Sequence, residues 1–457
     1  MSGATTLVTV LCAVRGAREA DVVTTLGASG LQVTRRCADV VELLAAAAAG
    51  AGRVAVVSCD LPALDRQVVA DLHAHGVRIV ALAPPGTWEE GRLRAFGVDA
   101  VVDVDPAPDI LRDAVRAVLP ERSTDGGAPG TPGRPAGTGS AGLVPERRPG
   151  RVVAVWGPTG APGRTTVATN LAAELAGATP ARRAPHRRGR RRTDVVAPAT
   201  VPPAPDAEVL LVDADTYGGS VAQRLGLLDE SPGLAAAARS AGQGVLDAAG
   251  LLALAPSVVA RLRVLTGLTR AARWPELPGA SLDAVWEVAR SVADWTVVDC
   301  GFGIERDEPL TYDTRAPQRN DATLSALAAA DVVVVVGAGD PVGLQRLVRG
   351  LDELAEAGTA VGASRLVAVN RVRASVVGPR PERAVRDALA RYAGVEDLHV
   401  VPEDGAVDLA LREGRTLVEV APTSPARRAL ARLAADVREA VPSGRGAAHG
   451  AVLEAAH

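Results

Sequence analysis

"RVVAVWGPTGAPGRTTVATNLAAELAG", residues 151–177, decides how the larger part of this chain is read. Its opening run of Val and Ala up to Trp156 predicts a strand buried on both faces. "GRTTVATNLAAELAG" predicts a helix with Val167, Leu171 and Leu175 spaced for one face. The segment between them has the outline of a phosphate-binding loop, in which backbone N–H groups and the start of the helix converge on phosphate oxygens. Gly160 and Gly163 supply close approach and unusual dihedrals, and Thr165, with Thr166 beside it, offers a hydroxyl to Mg²⁺. Pro158 stands where the usual pattern has its first Gly, and Pro162 has no N–H to give. Arg164 stands where the pattern has Lys; all 50 basic residues of the chain are Arg. A planar guanidinium is not a compact ammonium, but it can hold β- and γ-phosphate oxygens bidentately.

Two further segments belong with this loop. "EVLLVDADTYGG" (208–219) ends a predicted strand in Asp213 and Asp215, and "WTVVDCG" (295–301) ends another in Asp299. Carboxylates at the C-terminal ends of parallel strands beside a phosphate loop are where Mg²⁺ and an attacking water are managed. Val/Leu-rich runs at 261–267, 331–337, 364–370 and 398–402 predict more buried strands, with helices at 164–177, 282–293, 341–356, 381–392 and 424–441. Residues 151–441 are therefore expected to form a three-layer α/β domain of the P-loop NTPase type with a mostly parallel sheet.

Outward from this core, residues 1–118 alternate five short strands with five helices, which predicts a smaller doubly wound α/β domain. It resembles the response-regulator receiver domain, with Asp60 at the end of the third strand. The segment after the first strand reads Cys12-Ala13-Val14-Arg15 rather than acidic, Ala83 replaces a hydroxyl, and there is no lysine. The expectation is a pseudo-receiver, a docking or dimerising module in which Asp60 is a loop or N-cap carboxylate and not a phosphoacceptor. Residues 119–150 form a Gly/Pro-rich linker and 442–457 a flexible tail. The stretch 178–208, with seven Arg within 182–192 and a Pro-rich end, is expected to be a disordered insertion. It is expected to be either a solvated insertion without a partner or a non-specific tether to nucleic-acid phosphates or acidic lipid.

A formal charge of -3 and pI near 6.1 give no global basic field. The four Cys include no CxxC pair and read as buried reduced thiols, which argues against an iron–sulfur or zinc site. No run of roughly 20 apolar residues escapes interruption by charge or Pro, so a cytoplasmic protein without an integral membrane segment is expected.

Taken together, these residues resemble the MinD/ParA-type deviant Walker ATPases, and within them the CpaE/TadZ-like proteins, which place a receiver-like domain ahead of the ATPase. The family's loop reads K-G-G-x-G-K-T, and "TGAPGRT" runs here from Thr159 to Thr165. Thr159 falls at the signature lysine and Arg164 at the invariant one. The resemblance implies ATP and Mg²⁺ as ligands, held by Gly160, Ala161, Gly163, Arg164, Thr165 and Thr166. It implies Mg²⁺-shell and water-positioning roles for Asp213 and Asp215, and a Walker B role for Asp299. It places Asn370 ("AVNRV"), Pro402 and Asp404 around the adenine. It further implies a self-associating spatial regulator of pilus or secretion assembly, or of septal or polar positioning, with hydrolysis slowed or altered by Arg164. A DNA-partitioning ATPase and a nonenzymatic α/β scaffold with a degenerate nucleotide site are the alternatives.

Overall fold

In the computed structural model, the described residues are 8–119, 149–160, 162–177, 207–227, 232–306 and 318–440. Residues 120–148 of the linker, 178–206 of the Arg-rich insertion, the C-terminal tail and Ala161 lie outside them. Two compact units are present: one takes 8–119 with Ala238–Leu246, and the other takes the remaining described residues.

The first unit carries strands β1 (Thr9–Ala13), β2 (Gln32–Arg36), β3 (Val54–Ser58), β4 (Arg78–Leu82) and β5 (Ala100–Val102). All pairings are parallel, in the order β2-β1-β3-β4-β5. Alternation along each strand feeds two separate cores. Leu11, Ala55, Val57 and Ile79 pack with Leu43, Val68 and Leu93 on one face, while Val10, Val54, Val56 and Leu82 pack with Leu26, Leu111 and Val115 on the other. Helices α1 (Arg18–Ala28) and α5 (Pro108–Ala117) supply the second face, and α2 (Val40–Ala48), α3 (Arg66–Ala74) and α4 (Trp88–Phe96) the first. Asp39 and Asp65 start α2 and α3 by accepting from the N–H of Glu42 and Val68.

The second unit holds β6 (Arg151–Trp156), β7 (Val209–Ala214), β8 (Ser257–Val259), β9 (Leu262–Leu265), β10 (Trp295–Cys300), β11 (Val332–Ala338), β12 (Ser364–Val372) and β13 (His399–Pro402). Their order is β13-β12-β11-β6-β10-β7-β9-β8, parallel except for β8 against β9. The three-residue β8, at the sheet edge, has no counterpart in the sequence reading, because its apolar run is too short to show a period.

Helix α6 (Arg164–Leu175) departs from the one-faced expectation: every residue from Thr166 to Leu175 is buried. It lies between the sheet and the Pro425–Glu439 helix, and the Ala and Thr on its outer side let that helix close over it. Polar groups clamp the arrangement. Asn170 accepts from Leu417 N at 2.8 Å, Arg427 grips Glu174 with bonds of 2.6 and 2.8 Å, and Arg438 donates to the Glu174 carbonyl. The loop after β6 thus leads into a helix that is packed on all sides and tied by polar contacts.

Candidate functional site

From β6 the chain winds to one side through β7 and β9 and later to the other through β11, β12 and β13. Ligand crevices in open parallel sheets form at the carboxyl ends where the winding reverses, here at β6 and its neighbours. The loop 157–163 leaves β6 at that end. Gly160 has φ +105° and Gly163, the N-cap of α6, φ +95°; both angles lie in the region that favours glycine. A Cβ on Gly163 would also collide with the Asn370 amide, and one on Gly157 with the Val336 carbonyl. Local chain chemistry therefore fixes the loop's path, and the neighbouring strands β11 and β12 leave no room for an alternative.

The register of the sheet sets Asp299 beside Asp213 and Val155. Asp213 is buried, accepts from Asp215 N (3.3 Å) and Val221 N (3.0 Å), and is crowded by Gly219 and Gly267, where any Cβ would meet its carboxylate. Burial raises its pKa to about 6, with Asp215 adding to the rise against the N–H bonds. Asp215 turns its Oδ1 to the N–H groups of Tyr217 (2.9 Å) and Gly218 (3.2 Å), and its Oδ2 lies 3.5 Å from Arg164 Nη2.

Asp299 is the unusual group. It is fully buried, and among the described residues neither of its carboxylate oxygens has a hydrogen-bond partner. Burial, followed by the Asp213 charge, pushes its pKa well above the ordinary carboxylate range. Thr165 and Arg164 lie near enough to favour the charged form, but Thr165 does not reach hydrogen-bond geometry. A buried carboxylate left this way either keeps a proton or waits for a cation.

Arg164, nearly buried, donates Nη1 to the carbonyls of Gly157 (3.0 Å) and Pro158 (3.3 Å), and its guanidinium lies 6.0 Å from the Phe302 ring centre. It is folded onto its own loop. Thr166 is buried and accepts from Arg224 Nη1 at 3.1 Å. Asn370, also buried, donates Nδ2 to the Pro162 carbonyl at 3.0 Å, so its amide braces the loop directly. Pro402 ends β13, half-buried. Asp404 caps the Gly405–Glu413 helix through Ala406 N and also accepts from Ala426 N at 3.0 Å; burial opposes the charge, yet these bonds hold its carboxyl below its usual range. The structure therefore brings Gly160, Gly163, Arg164, Thr165, Asp213, Asp215, Asp299 and Asn370 together at one end of the sheet, and gives Asp404 a structural tie between two helices.

Residues not anticipated line the same crevice. Tyr217 stacks on Phe302 with ring centres 4.4 Å apart, donates its hydroxyl to Asn320 Oδ1 (2.8 Å), and lies under the Arg319 guanidinium at 4.0 Å. The chain has only two Phe and three Tyr, so an aromatic beside each acidic segment was a usable signal.

Among the described residues no group of three or more His, Cys, Asp or Glu could hold a metal alone. Mg²⁺ in nucleotide sites takes one or two carboxylates and completes its shell with phosphate and water oxygens. The two free oxygens of Asp299, Asp213 beside it and the Thr165 hydroxyl fit that requirement.

No protein-family model and no curated protein matches the chain. Similar solved structures include the Pyrococcus furiosus cell division ATPase MinD, 20% identical over 64% of this chain and 99% of that one, with a TM-score of 0.45. A ParA family ATPase from Chlorobium tepidum TLS is 19% identical over 62% and 98%, with a TM-score of 0.46. The septum site-determining protein MinD complexed with Mg-ADP from Pyrococcus horikoshii OT3 is 19% identical over 63% and 95%, with a TM-score of 0.44. Similarity of this size assigns neither a ligand nor an activity, and the case for one rests on the crevice itself.

Proposed function

We propose that the second unit binds ATP with Mg²⁺ and that the chain is a MinD/ParA-like spatial regulator whose nucleotide state governs self-association. The observation that carries the nucleotide reading is Asp299: a fully buried carboxylate without a hydrogen-bond partner, set between a glycine loop and a second acidic strand end. Mg²⁺ bound to ATP supplies the missing positive charge and polarises the phosphate oxygens. The chain's own groups do the rest. The N-terminus of α6 and the loop N–H groups would receive phosphate, Thr165, Asp213 and Asp299 would hold the cation, and Arg164 would exchange its carbonyl partners for phosphate oxygens. Asp215, released from Arg164, is then free to hold a water in line with the terminal phosphate. Asn370 keeps the loop in shape from behind.

In the finer reading the first unit is a pseudo-receiver that docks on a partner, and the process served is pilus or secretion assembly, or septal or polar positioning. No helix among the described residues is long and apolar enough to cross a membrane. The guanidinium of Arg164, engaged with its own loop and Asp215, favours the second reading of a scaffold with a degenerate site. Calorimetric titration of ATP into the full chain, with and without Mg²⁺ and paired with phosphate release, separates the two. Mg²⁺-dependent binding is expected; no heat of binding at millimolar ATP would hand the case to the scaffold.

A further inference from the structure

The Pro341–Ala357 helix, which follows β11, runs along the outside of the phosphate loop in a fixed register. Gly350 faces Pro158: a Cβ there would lie 3.1 Å from Pro158 Cβ and 3.3 Å from the Trp156 ring. One turn earlier on the same helix face, Arg346 faces Gly160. A Cβ on Gly160 would collide with Arg346 Nη1 and lie 3.2 Å from its Cζ and 3.4 Å from its Cδ. Two loop residues two apart are thus matched to two helix residues four apart. Gly350 allows the close approach, Pro158 fills the space it leaves, and Gly160 admits the guanidinium.

Arg346 is exposed, and it has no hydrogen bond or ion pair among the described residues. The other cation of the loop, Arg164, is engaged with two carbonyls and Asp215, and Thr159 brings no charge. An unengaged guanidinium laid across the glycine of a phosphate loop is placed for an anion that comes to that loop. A fork of N–H donors matches a phosphate better than a single point charge does.

We infer that Arg346 is a second phosphate ligand, through which the chain supplies to a nucleoside polyphosphate, from its own Pro341–Ala357 helix, a cation that the loop sequence lacks. The inference rests on the nucleotide reading above and adds the residue that makes the site complete within one chain. The test uses full-length wild type, Arg346→Gln and Arg346→Lys at one protein concentration, titrated with ATP and with ADP in the presence of Mg²⁺. Arg346→Gln is expected to weaken ATP binding about tenfold to a hundredfold and ADP binding less, because a shorter tail carries less charge. Arg346→Lys recovers part of the loss, and the thermal midpoint of the nucleotide-free protein stays put. Wild-type affinity retained in Arg346→Gln would overturn the assignment while leaving the nucleotide reading standing. A wild type that binds neither nucleotide would overturn both.

Discussion

Both units place an aspartate at the carboxyl end of a central parallel strand, and the two environments differ in kind. Asp60, two residues beyond β3, is exposed, and Arg15 reaches its carbonyl at 3.4 Å rather than its carboxylate. Water solvates that charge, so it makes no demand on its surroundings. Asp299, within β10, is fully buried and has no hydrogen-bond donor among the described residues. Burying a carboxylate in this manner is costly unless it is neutralised, and a protein that keeps one has a use for it. Position at the end of a strand is therefore a weak indicator of chemistry, and burial without a partner is a strong one.

The comparison would break most visibly at Asp299. Asp299→Asn keeps the shape and removes the charge, so Mg²⁺-dependent ATP affinity should fall at least about a hundredfold. The nucleotide-free protein should meanwhile melt higher, since an uncompensated buried carboxylate is gone. A lower melting point with unchanged binding would mean that Asp299 is a core residue only.

Arg164→Ala should weaken ATP binding roughly tenfold to a hundredfold by removing a charged donor worth about 1.5–3 kcal/mol. Arg164→Lys should bind comparably and release phosphate faster, because a lysine cannot fork onto the carbonyls of Gly157 and Pro158. Titration of the three proteins with ATP and Mg²⁺ checks both statements.

The acidic pair also predicts a pH dependence. Asp213 titrates at about 6 in the fold against an ordinary 3.8, so the folded protein holds a proton there that the unfolded chain has already lost. Its contribution to stability is complete below pH 4, falls as pH rises from about 4 through about 6, and is gone above that. About two pKa units correspond to a difference on the order of 3 kcal/mol between those limits. Chemical denaturation of wild type and Asp213→Asn at pH 4.5 and 7.5 isolates it, because the variant should lack this component. Mg²⁺–ATP should reverse the trend, binding more weakly as pH falls below about 6.

Smaller effects sharpen the contrast. Asn370→Ala leaves the Pro162 carbonyl without its donor and should cost about 1–2 kcal/mol in denaturant melts, with a parallel loosening of nucleotide affinity. Asp60→Asn should change stability by less than about 0.5 kcal/mol. Full-length protein incubated with acetyl phosphate and Mg²⁺ should show no added mass by intact-protein mass spectrometry; an adduct lost in Asp60→Asn would place working chemistry in the first unit.

Much of this molecule was legible residue by residue. Runs such as Val332–Ala338 state their own burial, Gly160 and Gly163 mark the turn between β6 and α6, and the aspartates closing "LLVDAD" and "TVVDC" mark the strand ends beside it. These signals are local: backbone period, turn chemistry and the end of an apolar run are properties of a few neighbouring residues. The sheet order, the all-round burial of α6, the Asn370 brace and the tie made by Asp404 depend on which distant segments share a surface. Whether Asp299 has a donor is not written near residue 299, and that Arg346 meets Gly160 is written nowhere near either residue. The sequence alone determined that a glycine-bearing turn joins a buried strand to a helix and that aspartates close two further strands, because those are patterns along the chain. Only the tertiary structure decided which charges are left unmatched around them, because burial and partnership are settled by packing between residues far apart in the chain.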